Sequence, residues 1–242
     1  MRAHFGWVHA MLSRMISSDS DVARHLKPRV NQLLTFLNKR TQLKSRAFDI
    51  TFGTDTYGRL DVPVNKDVRE HSIWGYSAIN HDFFREMFRA IPCDLTKYAF
   101  VDVGSGKGAA VMMAAEFPFR QLIGLELNTE LVDVARKNIT KFNQRALTAI
   151  APQWIEGDFF QWDLPKQPLL FFFNNPFPTE LSLQAIKHLE AELSGNGQTA
   201  LLVFRKAPKS TGDYLHASEF WRPLRLAPYW RIYVTQGTQN VQ

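Results

Sequence analysis

The stretch FVDVGSGKGAAVMMAAEFPFRQLIGLEL, Phe100–Leu127, decides the fold. An apolar run, 100–103, is interrupted only by Asp102. Gly104, Gly106 and Gly108 follow at alternate positions, then an Ala/Met-rich segment, then a second apolar run ending on Glu126. Strand, glycine turn, helix and strand at this spacing predict a right-handed βαβ unit. The same alternation continues outward. Strands are expected at 99–103, 121–126, about 152–156, 168–174 and 199–204, with helices at 108–117, 129–142 and 179–193. After Gly197, EFWRPLRLAPYWRIYVTQG holds two extended segments around a Pro/Ala turn with no room for a helix between them, which predicts an antiparallel hairpin. The expected fold is α/β. It is a doubly wound, mostly parallel seven-stranded sheet with an antiparallel terminal hairpin, preceded by an α-helical N-terminal extension.

Three kinds of ligand use such a turn. A phosphate loop needs four residues between its first glycine and its Gly-Lys pair, and with Gly106-Lys107 as the pair that first position is Val101. Gly108 also stands where the magnesium-binding hydroxyl belongs. A dinucleotide turn fits formally as Gly104-x-Gly106-x-x-Ala109, with Glu126 ending the second strand. Asp102 argues against it, because a carboxylate two residues before the first glycine repels a pyrophosphate. A ligand with a cationic amino acid end and a ribose suits this acid instead.

The sequence Asp102-x-Gly104-x-Gly106-x-Gly108 resembles the first motif of the class I, seven-stranded S-adenosylmethionine-dependent methyltransferases. The resemblance spans residues 72–236. It implies S-adenosylmethionine as cofactor, held by Asp102, Gly104, Ser105, Gly106 and Gly108. Glu126, with Leu127 beside it, would take the ribose hydroxyls from the end of the second strand. Asp158 after the third strand would receive the adenine amino group, with Phe159 against the ring. Asn174 ends the fourth strand, the family's substrate-facing position, and is also expected to touch the cofactor. Acids and an amide at consecutive strand ends agree with ligand binding at the carboxyl edge of an open α/β sheet.

Asn174-Asn175-Pro176-Phe177 resembles the Asn-Pro-Pro-Phe/Tyr motif of amine methyltransferases and departs from it at Asn175. A side-chain amide oxygen and a backbone carbonyl can accept the hydrogens of an N–H₂ group and aim its lone pair. Phe177 can pack a flat or aliphatic group. FVDVGSGKG, GDFF and the Asn pair after an aromatic fourth strand are also similar to the non-SET, telomeric-silencing type of histone lysine methyltransferase. That likeness implies a tyrosine in a loop over the cofactor, and Tyr76 lies 28 residues before Gly104. The expected activity is methyl transfer to a nitrogen, a protein lysine or another amine, with Asn174, Pro176, Phe177 and Tyr76 at the acceptor. Alternatives are a small-molecule or nucleic-acid N-methyltransferase, or a non-catalytic cofactor-binding module. His71 and His81 flank the Tyr76 loop and are read as ordinary histidines rather than bases.

Charge divides the chain. Residues 1–47 carry nine Lys/Arg against Asp19 and Asp21, within a net charge of +6, so the remainder is nearly neutral. Leu26, Val30, Leu33, Leu34 and Leu37 recur with helical period, and an amphipathic cover over the substrate cleft is the favoured reading of this arm. The expected organisation is a basic helical extension (1–47), an irregular connector (48–71) and a catalytic domain (72–242). A neutral domain makes nucleic acid a disfavoured partner. No apolar run approaches a membrane span. A single cysteine, Cys93, reads as a small core residue and fits a reducing, cytoplasmic setting. It also excludes cysteine-rich zinc clusters, and no metal is expected. Asn138-Ile139-Thr140 matches a glycosylation sequon inside a helical pattern and reads as chance.

Overall fold

The computed structural model describes residues 46–58 and 79–236, with the isolated positions 28, 30 and 43. The core is a seven-stranded sheet: β1 Ala99–Val103, β2 Gln121–Glu126, β3 Gln153–Glu156, β4 Leu169–Asn174, β5 Ala200–Arg205, β6 Trp221–Leu226 and β7 Trp230–Thr235. The spatial order is β3-β2-β1-β4-β5-β7-β6. The first five strands pair in parallel, and β7 enters antiparallel between β5 and β6. The expected seven-stranded, mostly parallel α/β sheet with its antiparallel terminal hairpin is therefore the observed one. Pro223 lies in β6, the outermost strand, where a missing donor is tolerated, and the pairing is irregular between Pro223 and Arg225.

The two faces follow from alternation along single strands. In β4, Leu170 and Phe172 join one core, while Leu169, Phe171 and Phe173 join the other. The first core receives α1 (His81–Arg89), α2 (Ala109–Ala114) and α3 (Thr129–Ala146), through Phe84, Phe88, Met112 and Phe142. The second receives α4 (Thr179–Asn196) and α5 (Lys209–Ala217), through Ile186, Leu189 and Leu215. Each fully buried aliphatic or phenyl side chain contributes about 1.5–3 kcal/mol. The Phe-rich β4, buried on both faces, is the natural centre of such a sheet.

Helix starts obey their caps. Asn80 accepts from Phe83 N–H at 3.2 Å and Asn128 from Leu131 N–H at 3.1 Å, opening α1 and α3. Helix α2 ends at Ala114, shorter than its apolar pattern predicts. Helix α5 is not expected from the sequence, because Gly212 interrupts its pattern. A Cβ there would lie 2.3 Å from Arg231 Nη1, so glycine clears room for β7.

The segment expected to be irregular from residue 48 is helical over 46–52. Phe48 stacks on Phe142 of α3 at 5.9 Å between centroids, and Phe52 packs against the same ring, tilted, at 4.6 Å. Asp49 then organises the following turn, accepting from Thr54 Oγ1, Thr56 N–H and Tyr57 N–H at 2.7–2.8 Å. The remainder of the basic arm and the expected cover over the cleft lie outside the described residues, as do His71 and Tyr76. No helix among the described residues is long and apolar enough to cross a membrane.

Candidate active site

The turn after β1 is built by backbone conformations that favour glycine. Gly104, Gly106 and Gly108 have φ of 73°, 53° and 83°. The N–H groups of Gly104 and Ser105 both donate to Leu125 O, at 2.9 and 3.0 Å, tying the turn to the end of β2. Glu126 completes the tie: its Oε2 accepts from Gly106 N–H at 2.8 Å and its Oε1 from Asn128 N–H at 2.9 Å. The turn and the acid expected to hold a ribose thus form one unit.

Asp102 is buried at 3 % exposure, beside Glu126. Burial, and then the neighbouring Glu126 charge, push its pKa up to about 8. Glu126 is also raised by desolvation, against the lowering effect of its bonds from the Asn128 and Gly106 N–H groups. Among the described residues neither acid forms a salt bridge. Two close, desolvated carboxyl groups without a cation among the described residues favour keeping a proton, and a cationic ligand would favour their ionised form. Ser105 Oγ is buried there with no hydrogen-bond partner. Leu127, 38 % exposed beside Glu126, offers apolar surface to a ring.

Two of these glycines are also required by close packing. A Cβ on Gly104 would lie 2.9 Å from Pro176 Cβ, so the loop after β4 rests on the cofactor turn. Gly108 faces the interior: a Cβ there would lie 2.6 Å from Trp154 Cη2 and 3.2 Å from Ala135 Cβ. Gly108 was expected at the cofactor, yet its space is taken by packing, the third-glycine role in such turns. Trp154, which the sequence reading did not single out, also lies over Gly124, where a Cβ would approach Cζ3 at 2.4 Å. Its indole is the floor beneath the turn.

The adenine-side expectations fare differently. Asp158 Oδ1 accepts from Phe160 N–H at 3.0 Å and caps the short turn Phe159–Gln161. Phe159 is 4 % exposed, and packs against Phe173 and Phe177 at 5.7 and 5.5 Å. It is a core residue that carries the fourth-strand loop, and its ring is not available to lie on an adenine. The expectation for Phe159 is corrected accordingly.

At the acceptor side, Asn174 Oδ1 accepts from Arg205 Nη1 at 2.7 Å. Arg205 is its partner across β4 and β5, with its guanidinium carbon 5.3 Å from the centroid of the Phe83 ring. Burial lowers the Arg205 pKa to about 10, and Arg205 in turn lowers that of Lys206. Asn175 has φ 57°. Proline, fixed near −65°, cannot adopt that conformation, so the departure from Asn-Pro-Pro-Phe is written into the backbone. Phe177 is half-buried against Phe159, Phe160 and Phe173.

Other readings resolve plainly. His81 bonds Glu116 through Nε2, and Arg85 reaches the same carboxylate at 2.7 Å, so His81 serves the α1–α2 surface. Asn138 is buried, its Nδ2 donating to Asp55 O and Lys107 O at 3.0 Å, which leaves no accessible sequon nitrogen. Burial and Asp94 push the Cys93 thiol up to about 11, away from reactivity. No cluster of metal-ligating side chains occurs among the described residues.

Strand order, glycine turn and paired strand-end acids define a class I S-adenosylmethionine-dependent methyltransferase. Bound S-adenosylmethionine supplies an electrophilic sulfonium methyl, and its ammonium, sulfonium and ribose match the Asp102/Glu126 pocket. The family model described as histone methylation protein DOT1 matches residues 62–189, and the chain belongs to that family. Among solved structures, the chain is similar to an RNA methyltransferase from Salinibacter ruber in complex with S-adenosyl-L-homocysteine. The identity is 19%, over 66% of this chain and 92% of that one, with a TM-score of 0.43. It is also similar to the putative methyltransferase yhhF from Escherichia coli, at 17% identity over 64% and 84% of the two chains and a TM-score of 0.47. The putative methylase HI0767 from Haemophilus influenzae is 18% identical over 63% and 88%, with a TM-score of 0.45. No curated protein matches the chain.

Proposed function

We propose that this methyltransferase acts on a nitrogen acceptor, a protein lysine or another amine. The supporting observation is the seating of Pro176 against Gly104, which joins the Asn174–Phe177 loop to the cofactor turn. In this reading Asn174 and the loop carbonyls accept N–H groups of the acceptor. The bond from Arg205 holds the Asn174 amide in one orientation. Phe177 and the neighbouring rings exclude water from the acceptor's carbon chain. Methyl transfer is an in-line displacement, so orientation and desolvation carry the rate and no covalent nucleophile is needed. An ammonium must lose its proton first, and water can take it through the acceptor channel. Asp102, Gly104, Ser105, Gly106, Glu126, Leu127 and Asp158 are assigned to the cofactor, and Tyr76 to the cover over it. The family is described by histone methylation, so a protein lysine is the first acceptor to test.

Methyl-tritiated S-adenosylmethionine, incubated with the protein and fractionated cell extract or histone, tests this. The reading expects label that survives mild alkali and runs as an N-methyl amine after hydrolysis. Alkali-labile label, as from a methyl ester, or label on carbon would contradict it.

A further inference from the structure

We propose that the Nε–Nη2 edge of Arg205 binds a carboxylate carried by the acceptor beside the nitrogen to be methylated. The proposal rests on the amine-acceptor reading above and narrows it to acidic amines.

Arg205 ends β5, hydrogen-bonded through Nη1 to Asn174, the amide at the centre of the acceptor loop. Its other donors are unspent. Nε is buried with no partner, and among the described residues no hydrogen bond or ion pair engages Nη2. The Phe83 ring approaches the guanidinium carbon and consumes no N–H. What remains is the side-on pair of parallel donors that fits both oxygens of one carboxylate. Lys206 adds a second positive charge next to it, and no acid pairs with either residue among the described ones.

The backbone carries an independent sign. Asn175 and Lys206 both have positive φ, 57° and 56°, immediately after Asn174 and Arg205. Strain of this kind in non-glycine residues gathers at ligand sites, where the fold holds side chains against their local preference. Here it falls on two adjacent strand ends, at the edge of the sheet where open α/β folds bind ligands. A lysine within a wholly basic segment would meet like charge at this point. An amine with a carboxylate within reach would have its charge matched and its nitrogen directed to Asn174.

The test uses full-length protein labelled with ¹⁵N-arginine and saturated with S-adenosylhomocysteine. The Arg205 Nε–H resonance is assigned by its loss in Arg205→Lys. Glutarate, inorganic phosphate and methylamine are then titrated separately. The proposal expects saturable glutarate shifts at Arg205, weakened at least tenfold for the protein as a whole in Arg205→Lys, with S-adenosylhomocysteine binding unchanged in that variant. No response to glutarate while the cofactor product binds would overturn the proposal alone. A response to phosphate only would also overturn it, in favour of a phosphorylated acceptor. Failure to bind S-adenosylhomocysteine at all would instead overturn the methyltransferase reading beneath it.

Discussion

Asp102 and Glu126 stand toward the ends of neighbouring strands as two desolvated carboxyl groups, and among the described residues no basic side chain pairs with either. The arrangement costs the unliganded protein stability and makes it a receptor for positive charge. A pH dependence follows from it. The folded protein holds a proton on Asp102 up to about pH 8, whereas the unfolded chain releases it near its ordinary value of 3.8. Between those limits the folded state binds the extra proton, so unliganded stability falls as pH rises through the window. A cationic ligand needs the ionised form, so affinity for S-adenosylmethionine should rise with pH up to about 8 and then level. Calorimetry at pH 6.5 in buffers of different ionisation heat should detect proton release on binding. Asp102→Asn should abolish that release, raise unliganded stability and weaken binding by about 10–100-fold, or roughly 1.4–2.8 kcal/mol.

Trp154 and Gly124 should couple strongly. Gly124→Ala drives a methyl into the indole and should destabilise by about 1–3 kcal/mol. In a Trp154→Leu background the same change should cost at least about 1 kcal/mol less. Urea unfolding of the four proteins measures this, and simple additivity would show that the indole is not the obstacle.

Asn175 should tolerate glycine and reject proline. Asn175→Gly removes the strain of a left-handed residue and should be neutral or stabilising by up to about 1 kcal/mol. Asn175→Pro demands the opposite sign of φ and should cost about 2 kcal/mol or more, or unseat Pro176 from Gly104. Thermal unfolding of the two variants distinguishes them, and equal behaviour would contradict the backbone assignment.

The 46–58 segment should depend on one buried amide. Asn138 accepts from Asp55 N–H at 2.8 Å and donates to Asp55 O and Lys107 O, and Lys107 Nζ meets Asp55 Oδ1 at 3.1 Å. Asn138→Ala leaves these groups unmatched, at a cost of about 1–3 kcal/mol. Hydrogen exchange should then show lost protection at residues 54–57 and in the glycine turn, while the protection of β4 persists.

Much of this was legible in the sequence, and the residues show why. Apolar runs such as 169–174 declare a central strand, and Asp102 with three alternating glycines declares the turn. Asn80, a cap-forming residue just ahead of the apolar-periodic Phe83, Phe84 and Phe88, marks the start of α1. The misreadings involve tertiary partners. Gly212 breaks the α5 pattern only because Arg231 needs its space, and the helix at 46–52 forms against Phe142, far along the chain. Phe159 sits beside the cofactor in sequence but turns its ring into the core. Trp154 and Arg205 carry no local signal, since one matters through two glycines on other elements and the other through an amide on the next strand.

Calorimetric titration of S-adenosylmethionine and S-adenosylhomocysteine into wild type and Glu126→Ala tests the central claim most directly. Saturable micromolar binding by the wild type is expected, weakened at least tenfold in the variant, which corresponds to about 1.4 kcal/mol. Absence of binding by folded wild-type protein, or equal binding by the variant, would contradict the assignment of the turn and Glu126 to this cofactor.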